Sequence, residues 1–247
     1  MKPTVVVPMA GNGTRFSEAG YETIKPLIPI DGKPMIERVV NSITFDANWI
    51  FIVQAEHRKQ FDLDRVLEGI RPGCRVIDTG GGVTEGAACT VLLAEPYINC
   101  AAPLIILNSD NIIEWDEEVF TSIKRSDYLD GMIVCFSDVM RNPKWSFVEV
   151  TGDSWVTRVA EKDPISTWAT AGLYIWFYPY EFFIAAKEMI EANDRVNNEF
   201  YITPVYNYNI KKGSHIMMTP AISMHGVGTP EDLEIYLKHL DKQKVLA

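Results

Sequence analysis

The residues most suited to chemistry lie near the N-terminus: Gly11, Gly13, Arg15 and Lys25. Glycine has no Cβ, so the backbone at 11 and 13 can bend sharply and bring N–H groups against an anion. Arg15 adds a forked cation matched to phosphate oxygens, and Lys25 a compact point charge that can follow a moving one. A glycine turn after a strand is common by itself. The two cations turn this one into a candidate cradle for a chain of phosphates. Farther on, Asp110 ends an apolar run, which places its carboxylate at a strand end. Magnesium prefers hard oxygen ligands and takes one or two carboxylates plus triphosphate oxygens, a role Asp110 fits. A turn-forming aspartate has the same local look. The glycines of 80–86 can bring backbone amides and carbonyls close to a flat nucleobase, or can simply make a flexible loop.

These groups need elements to hold them. Val5-Val6-Val7 reads as a short buried strand breaking into the first glycine loop. A helix is expected from Pro34 to Ile43, with Met35, Ile36, Val39, Val40 and Ile43 at helical spacing. Strands follow at 49–54, 75–78 and 104–108, with helices at 57–70 and 87–94 between them. This alternation implies an α/β fold with a mostly parallel, layered sheet, whose ligands collect beyond the carboxyl ends of the strands. From Met132 the texture changes. Residues 133–136, 147–150, 155–159 and 170–176 read as strands without long intervening helices, which makes the second half of the sheet mixed. Helices are expected again at 179–192 and 199–211. A strand near 215–218 and a terminal helix opened by Thr229-Pro230 complete the chain.

Composition narrows the function. The 247 residues, 47% hydrophobic, support a sizeable core and one large domain, and no linker or repeat interrupts them. A formal charge of −10 argues against nucleic acid or an anionic membrane as the partner. Local cations can still hold a phosphate against that background. Cys74, Cys89, Cys100 and Cys135 form no Cys-x-x-Cys pair and sit among mostly apolar neighbours, as reduced cytoplasmic thiols do. No run approaches the ~20 apolar residues of a membrane span, and no leader precedes the first strand. The expectation is a cytoplasmic protein, and the sequence leaves a homo-oligomer open.

The runs Ala10-Gly11-x-Gly13-Thr14-Arg15-Phe16, Lys25-Pro26-Leu27-Ile28-Pro29-Ile30 and Gly32-Lys33-Pro34-Met35-Ile36 together resemble the signature of the sugar-1-phosphate nucleotidyltransferases (NDP-sugar pyrophosphorylases). The resemblance implies a Rossmann-like, glycosyltransferase-A-like nucleotidyltransferase fold. It implies a first half (1–130) for the nucleotide and a second half (131–247) for the acceptor, within one domain. Ala10, Gly11, Asn12, Gly13 and Thr14 would wrap a nucleoside triphosphate, with Arg15 on its phosphates and Lys25 at the reacting phosphorus. Leu107-Asn108-Ser109-Asp110-Asn111 stands where the family carries its metal-binding aspartate. This implies Mg²⁺ on Asp110, with Ser109 on the nucleotide side and Asn111 on the acceptor side. Gly86-Ala87-Ala88 matches a helix start beside the base, which adds Gly81 and Gly86 to the nucleotide set. Glu161-Lys162 resembles the family's Glu-Lys-Pro, where the lysine holds the phosphate of the phosphorylated acceptor. Gly172 and Glu199 match positions that contact a sugar. By themselves Lys162 reads as a surface lysine, Gly172 as a strand bulge and Glu199 as a first-turn charge.

The chain also departs from the pattern. Gly228-Thr229-Pro230 is present, yet Gly226 stands where the family has a second metal carboxylate, leaving that ligand to Glu231, Asp232 or water. A side-chain amide expected near Gly81 is missing, so the base stays unassigned. The leading expectation is transfer of a nucleotidyl group to a sugar 1-phosphate with release of pyrophosphate. A cytidylyltransferase for a non-sugar phosphate such as phosphocholine and a non-catalytic nucleotide-binding relative are the alternatives. A dinucleotide-binding oxidoreductase would need a third glycine at Phe16, and a metal-dependent glycosyltransferase usually an Asp-x-Asp where Ser109-Asp110-Asn111 stands.

Overall fold

A computed structural model of the chain describes residues 2–123 and 128–246. In chain order the elements are β1 (Thr4–Pro8), α1 (Thr14–Glu18), a 3₁₀ turn (Lys25–Leu27), β2 (Pro29–Ile30), β3 (Lys33–Pro34), α2 (Met35–Val40), β4 (Asn48–Val53), α3 (Ala55–Gln60), α4 (Leu63–Ile70) and β5 (Arg75–Asp78). Next come α5 (Ala87–Leu92), β6 (Leu104–Leu107), β7 (Asn111–Trp115), α6 (Glu117–Ser122), β8 (Gly131–Ser137), β9 (Ser146–Val150), β10 (Val156–Glu161) and β11 (Trp168–Trp176). The chain finishes with α7 (Pro179–Glu191), α8 (Val205–Lys211), β12 (Ile216–Gly226) and α9 (Pro230–Leu246).

Among the described residues, ten strands form one sheet in the order β5-β4-β1-β6-β11-β8-β12-β7, with β9 on β11 and β10 on β9. β1, β4, β5 and β6 pair in parallel. Among the described residues every antiparallel pairing of this sheet involves a strand of the second half, starting where β11 meets β6, and β2 and β3 pair antiparallel in a separate two-stranded sheet. β12 bridges the two textures, running parallel to β8 and antiparallel to β7.

The apolar runs are continuous because the sheet is covered on both faces. Val5, Val7, Phe51, Ile105 and Leu107 face one buried cluster with Ile36 and Val39 of α2 and Leu63 and Leu67 of α4. Val6, Ile50, Ile52, Leu104 and Ile106 face the other, against Ala88 and Val91 of α5, Phe182 of α7 and Val205 of α8. Each fully buried aliphatic side chain contributes roughly 1.5–3 kcal/mol. β1, which carries three such valines at its centre, is therefore a firmly packed base for the loop that follows.

Three expectations change. The helix read at 57–70 is two helices, because Asp62 adopts φ 47° and turns the chain between α3 and α4. The helix read at 199–211 begins at Val205, because Phe200 instead pairs its backbone with Glu85 and Ala88. β7 and α6 were not anticipated, and β12 extends to Gly226 to pair with β7. Among the described residues no helix is long and apolar enough to cross a membrane.

Candidate active site

β1 and β6 end side by side, and the segments leaving them open into a cleft of about 910 Å³. After β1 the backbone runs through Met9–Asn12 to Gly13, whose φ of 64° turns it into α1. Phe16 is buried beneath that short helix, which leaves Arg15 exposed at the cleft rim. The loop is pinned from β4. The buried Gln54 donates from Nε2 to the Ala10 carbonyl at 2.9 Å and to Asn12 Oδ1 at 3.1 Å. A Cβ at Gly13 would touch Cβ of Lys25 at 3.3 Å, so loop and lysine are packed together.

Lys25 begins the 3₁₀ turn, with Pro26 buried next to it. Its ammonium donates to Asp110 Oδ2 at 2.8 Å, both side chains being partly buried. Asp110 is fixed through its carbonyl, which accepts from the Val227 N–H at 2.8 Å, just beyond β12. Ser109 and Asn111 on either side are buried. Asn111 donates from Nδ2 to the Ala171 carbonyl at 2.7 Å. That places it over the bulge in β11, where Gly172 has φ 84° and its missing Cβ would sit 2.6 Å from Asn111 Nδ2. Gly172 thus lies behind the cleft wall and sets the position of Asn108 and Asn111.

The opposite wall comes from the second half. Lys162, with φ 56° just after β10, donates to the Tyr201 hydroxyl, and its ammonium lies 4.5 Å from that ring's centroid. Glu161 accepts from Ser146 Oγ. Loss of hydration raises its pKa, an effect the Ser146 hydrogen bond and Lys162 oppose and Glu199 reinforces. Glu199 is exposed into the cleft beside buried Phe200. Arg195 lies 4.1 Å from the Phe200 ring and donates to Glu85 Oε2 at 2.8 Å, tying this segment to the glycine-rich loop.

The cleft therefore gathers Ala10, Gly11, Asn12, Thr14, Arg15, Lys25, Gly86, Ser109, Asp110, Asn111, Lys162 and Glu199. Gly13 and Gly172 support it from behind. Gly81 is set apart, exposed and with nothing within 4 Å of its missing Cβ. Gly86 serves packing: a Cβ there would lie 2.4 Å from the Phe200 amide nitrogen. Sequence reasoning overlooked Gln54, Trp145, Glu161, Arg195 and Tyr201. Gln54 ends an apolar strand on a polar residue, and Glu161 directly precedes the lysine already singled out. The other three left no local signal.

Residues 5–240 match the family model for the nucleotidyl transferases. The chain belongs to that family. A nucleoside-diphosphate-sugar pyrophosphorylase from Vibrio cholerae RC9 superimposes with a TM-score of 0.78 at 25% identity, covering 95% of this chain and 99% of that one. A UDP-glucose pyrophosphorylase in complex with UDP-glucose gives 0.77 at 20% identity, covering 98% and 100%. The bifunctional protein GlmU of Methanocaldococcus jannaschii is 22% identical over 171 residues, 68% of this chain and 38% of that protein. The chain thus matches little more than a third of the curated relative's length.

The donor set also bears on a metal. Among the described residues no three His, Cys, Asp or Glu side chains converge on a point that could hold one. Asp110, paired with Lys25, lies in the cleft as a single carboxylate, and a hard dication that brings triphosphate oxygens with it accepts one. Glu231 is exposed, and Asp232 is engaged by Lys144 at 2.6 Å. The residues fit magnesium as a one-carboxylate site.

Proposed function

We propose that this chain transfers a nucleotidyl group from a nucleoside triphosphate to a phosphorylated acceptor, foremost a sugar 1-phosphate, releasing pyrophosphate. The observation that carries this reading is the Lys25–Asp110 pair at 2.8 Å, lying in one cleft with Arg15 and the glycine loop on one side and Lys162 on the other. An oxygen of the acceptor phosphate attacks the α-phosphorus. The bond from that phosphorus to the bridging oxygen breaks, and its electron pair leaves with pyrophosphate. The attacking oxygen is already ionised, so no general base is needed, and catalysis consists of alignment and charge stabilisation.

In this scheme the first half of the domain holds the nucleotide and the second half the acceptor. The backbone of 10–14 and Arg15 hold the β- and γ-phosphates. Lys25 meets the charge that develops on the reacting phosphoryl group, and Lys162 holds the acceptor phosphate. Glu199 and Glu161 face the acceptor as hydrogen-bonding groups for hydroxyls. Asp110 would hold magnesium, which when bound supplies positive charge among the triphosphate oxygens.

A second reading keeps the reaction and changes the acceptor to a non-sugar phosphate such as phosphocholine, with CTP as donor. Trp145 and Tyr201 give the acceptor side an aromatic character that favours it. The fold is also that of an inositol-1-phosphate CTP transferase from T. maritima, at a TM-score of 0.72 and 14% identity. Four nucleoside triphosphates tested against a panel of phosphorylated acceptors, scored by pyrophosphate release, separate the two. Release with a sugar 1-phosphate supports the first reading and release only with CTP and phosphocholine the second. Triphosphate binding without release under any pairing refutes both and leaves a nucleotide-binding relative that has lost turnover.

A further inference from the structure

Arg195 lies where the two halves of the cleft meet, and its guanidinium serves three segments at once. Nε donates to Asn193 Oδ1 at 2.7 Å, just beyond α7. One terminal nitrogen donates to the Asn198 carbonyl at 3.2 Å, and the other to Glu85 Oε2 at 2.8 Å. The guanidinium carbon sits 4.1 Å from the centroid of the Phe200 ring. A planar fork with donors in fixed directions makes these contacts together, whereas an ammonium on a flexible stem does not span them.

Arg195 opens a tight turn. Val196 and Glu199 exchange backbone hydrogen bonds at 3.1 and 2.9 Å, and Asn197 and Asn198 between them have φ of 48° and 67°. Asparagine tolerates that left-handed pair. The turn delivers Glu199 to the cleft, and two residues later the Tyr201 hydroxyl accepts from the Lys162 ammonium. On the nucleotide side, a Cβ at Gly80, Gly81 or Gly82 would meet nothing within 4 Å, so the glycine-rich loop is loosely packed at its centre. Glu85 ties it to the second half twice, through its carboxylate to Arg195 and through its carbonyl to the Phe200 N–H at 2.9 Å. Contacts therefore run without a gap from this loop through Glu85, Arg195, Phe200 and Tyr201 to Lys162. The Glu85 side chain is 65% exposed, and an ion pair so open to water contributes little to folding. Its consequence is positional.

We infer that Arg195 is a positioning residue for the acceptor: it sets Glu199 and Tyr201, and through Tyr201 the Lys162 ammonium, against the glycine-rich loop, so that a base seated in that loop firms the acceptor side. The inference rests on the nucleotidyl-transfer reading. Wild type, R195K, R195M, E85Q and E85Q/R195M are compared. Backbone hydrogen exchange is followed at 79–86 and 196–201 with ATP, GTP, CTP and UTP in turn. In the wild type, the triphosphate that slows exchange at 79–86 should also slow it at 196–201, by about fivefold or more. R195M and E85Q should keep the first effect and lose the second. In pyrophosphate release with the productive pair from the acceptor panel, R195M and E85Q should each raise the acceptor KM about five- to tenfold. R195K should fall between wild type and R195M. The double variant should be no worse than R195M, because both changes cut one link. E85Q should melt within about 2 °C of wild type.

Exchange at 196–201 that ignores the triphosphate in the wild type, or slows equally in R195M, overturns the inference. So does a double variant in which the two KM increases multiply, the sign of two separate contacts with substrate. In each of these cases, pyrophosphate release by the wild type leaves the nucleotidyl-transfer reading standing. A wild type in which no triphosphate slows exchange at 79–86 and no acceptor yields pyrophosphate overturns the inference and the reading together.

Discussion

Replacing Gly86 with alanine tests whether the two walls of the cleft are one rigid unit. Gly86 has φ 135°, and an added Cβ would fall 2.4 Å from both the nitrogen and the oxygen of Phe200 and 2.9 Å from its carbonyl carbon. Backbone cannot yield as a flexible side chain does, so the two segments must part. Holding alanine in that region of φ and ψ costs about 1–3 kcal/mol. Parting the segments strains or breaks two hydrogen bonds, Phe200 N–H to Glu85 O at 2.9 Å and Ala88 N–H to Phe200 O at 3.0 Å. At about 0.5–1.5 kcal/mol each, the total is roughly 2–6 kcal/mol, a fall in melting temperature of about 5–20 °C for a chain of this size. Glu85 on one side and Glu199 and Tyr201 on the other move apart with the break, so KM for both the triphosphate and the acceptor should rise. Gly81→Ala is the control: nothing lies within 4 Å of its Cβ, and a surface change of this kind stays within about 0.5 kcal/mol. Circular dichroism melts and initial-rate kinetics on both variants read the outcome. A G86A protein melting within about 2 °C of wild type would refute the claim that these segments are locked together.

Other perturbations follow from the same geometry. Lys25→Ala should lower turnover by about 10²–10³-fold or more with little change in melting temperature, since its pair with Asp110 is partly exposed; a rate within tenfold of wild type removes Lys25 from the reacting centre. Glu161 has a pKa raised above 4.5, chiefly by loss of hydration, so the folded state holds this proton more tightly than the unfolded one. Its penalty is absent at pH below 4.5 and grows as pH rises through the folded value. Glu161→Gln should therefore melt above wild type near pH 7.5 and no higher near pH 4, and equal melting at both would count against it. His225 has a pKa lowered from 6.5, first by burial and then by the neighbouring His239, whose ring lies 4.7 Å away. Its contribution to stability is present above pH 6.5 and declines as pH falls through the lowered value. His225→Gln should flatten the decline in melting temperature below about pH 6.5; an unchanged slope would place the acid sensitivity elsewhere.

How much of this was legible in the sequence depends on the range over which each interaction acts. The glycine loop was legible because its cause is local: three valines buried on both sheet faces, then Gly13 in a left-handed conformation that turns the chain into α1. The terminal helix was legible for a similar reason, since Thr229 accepts from the Asp232 N–H at 3.1 Å ahead of Pro230. β7 escaped because its strand partner is β12, whose pairing residues begin at Ala221, and nothing in Ile112–Trp115 alone separates a strand from a short apolar run. The break at Asp62 escaped because apolar periodicity carries across it, while one left-handed residue ends a helix without changing that pattern.

The site divides along the same line. Gly86 announced itself as a glycine, but a glycine says only that something comes close. Its own neighbourhood suggested a nucleobase, whereas the close approach comes from the backbone of Phe200. At Gly226 the missing carboxylate could be noticed, and its cause could not. The ring that excludes it belongs to Trp145, in the loop before β9, and only the sheet brings that loop onto the end of β12. A departure from an expected residue therefore reads as a loss until the structure supplies the neighbour. Here the neighbour is a large aromatic whose Cη2 would lie 2.7 Å from a Cβ at 226, so Gly226 and Trp145 pack as a reciprocal pair. Changing either alone should disturb the cleft, and changing both should restore its packing with a different charge.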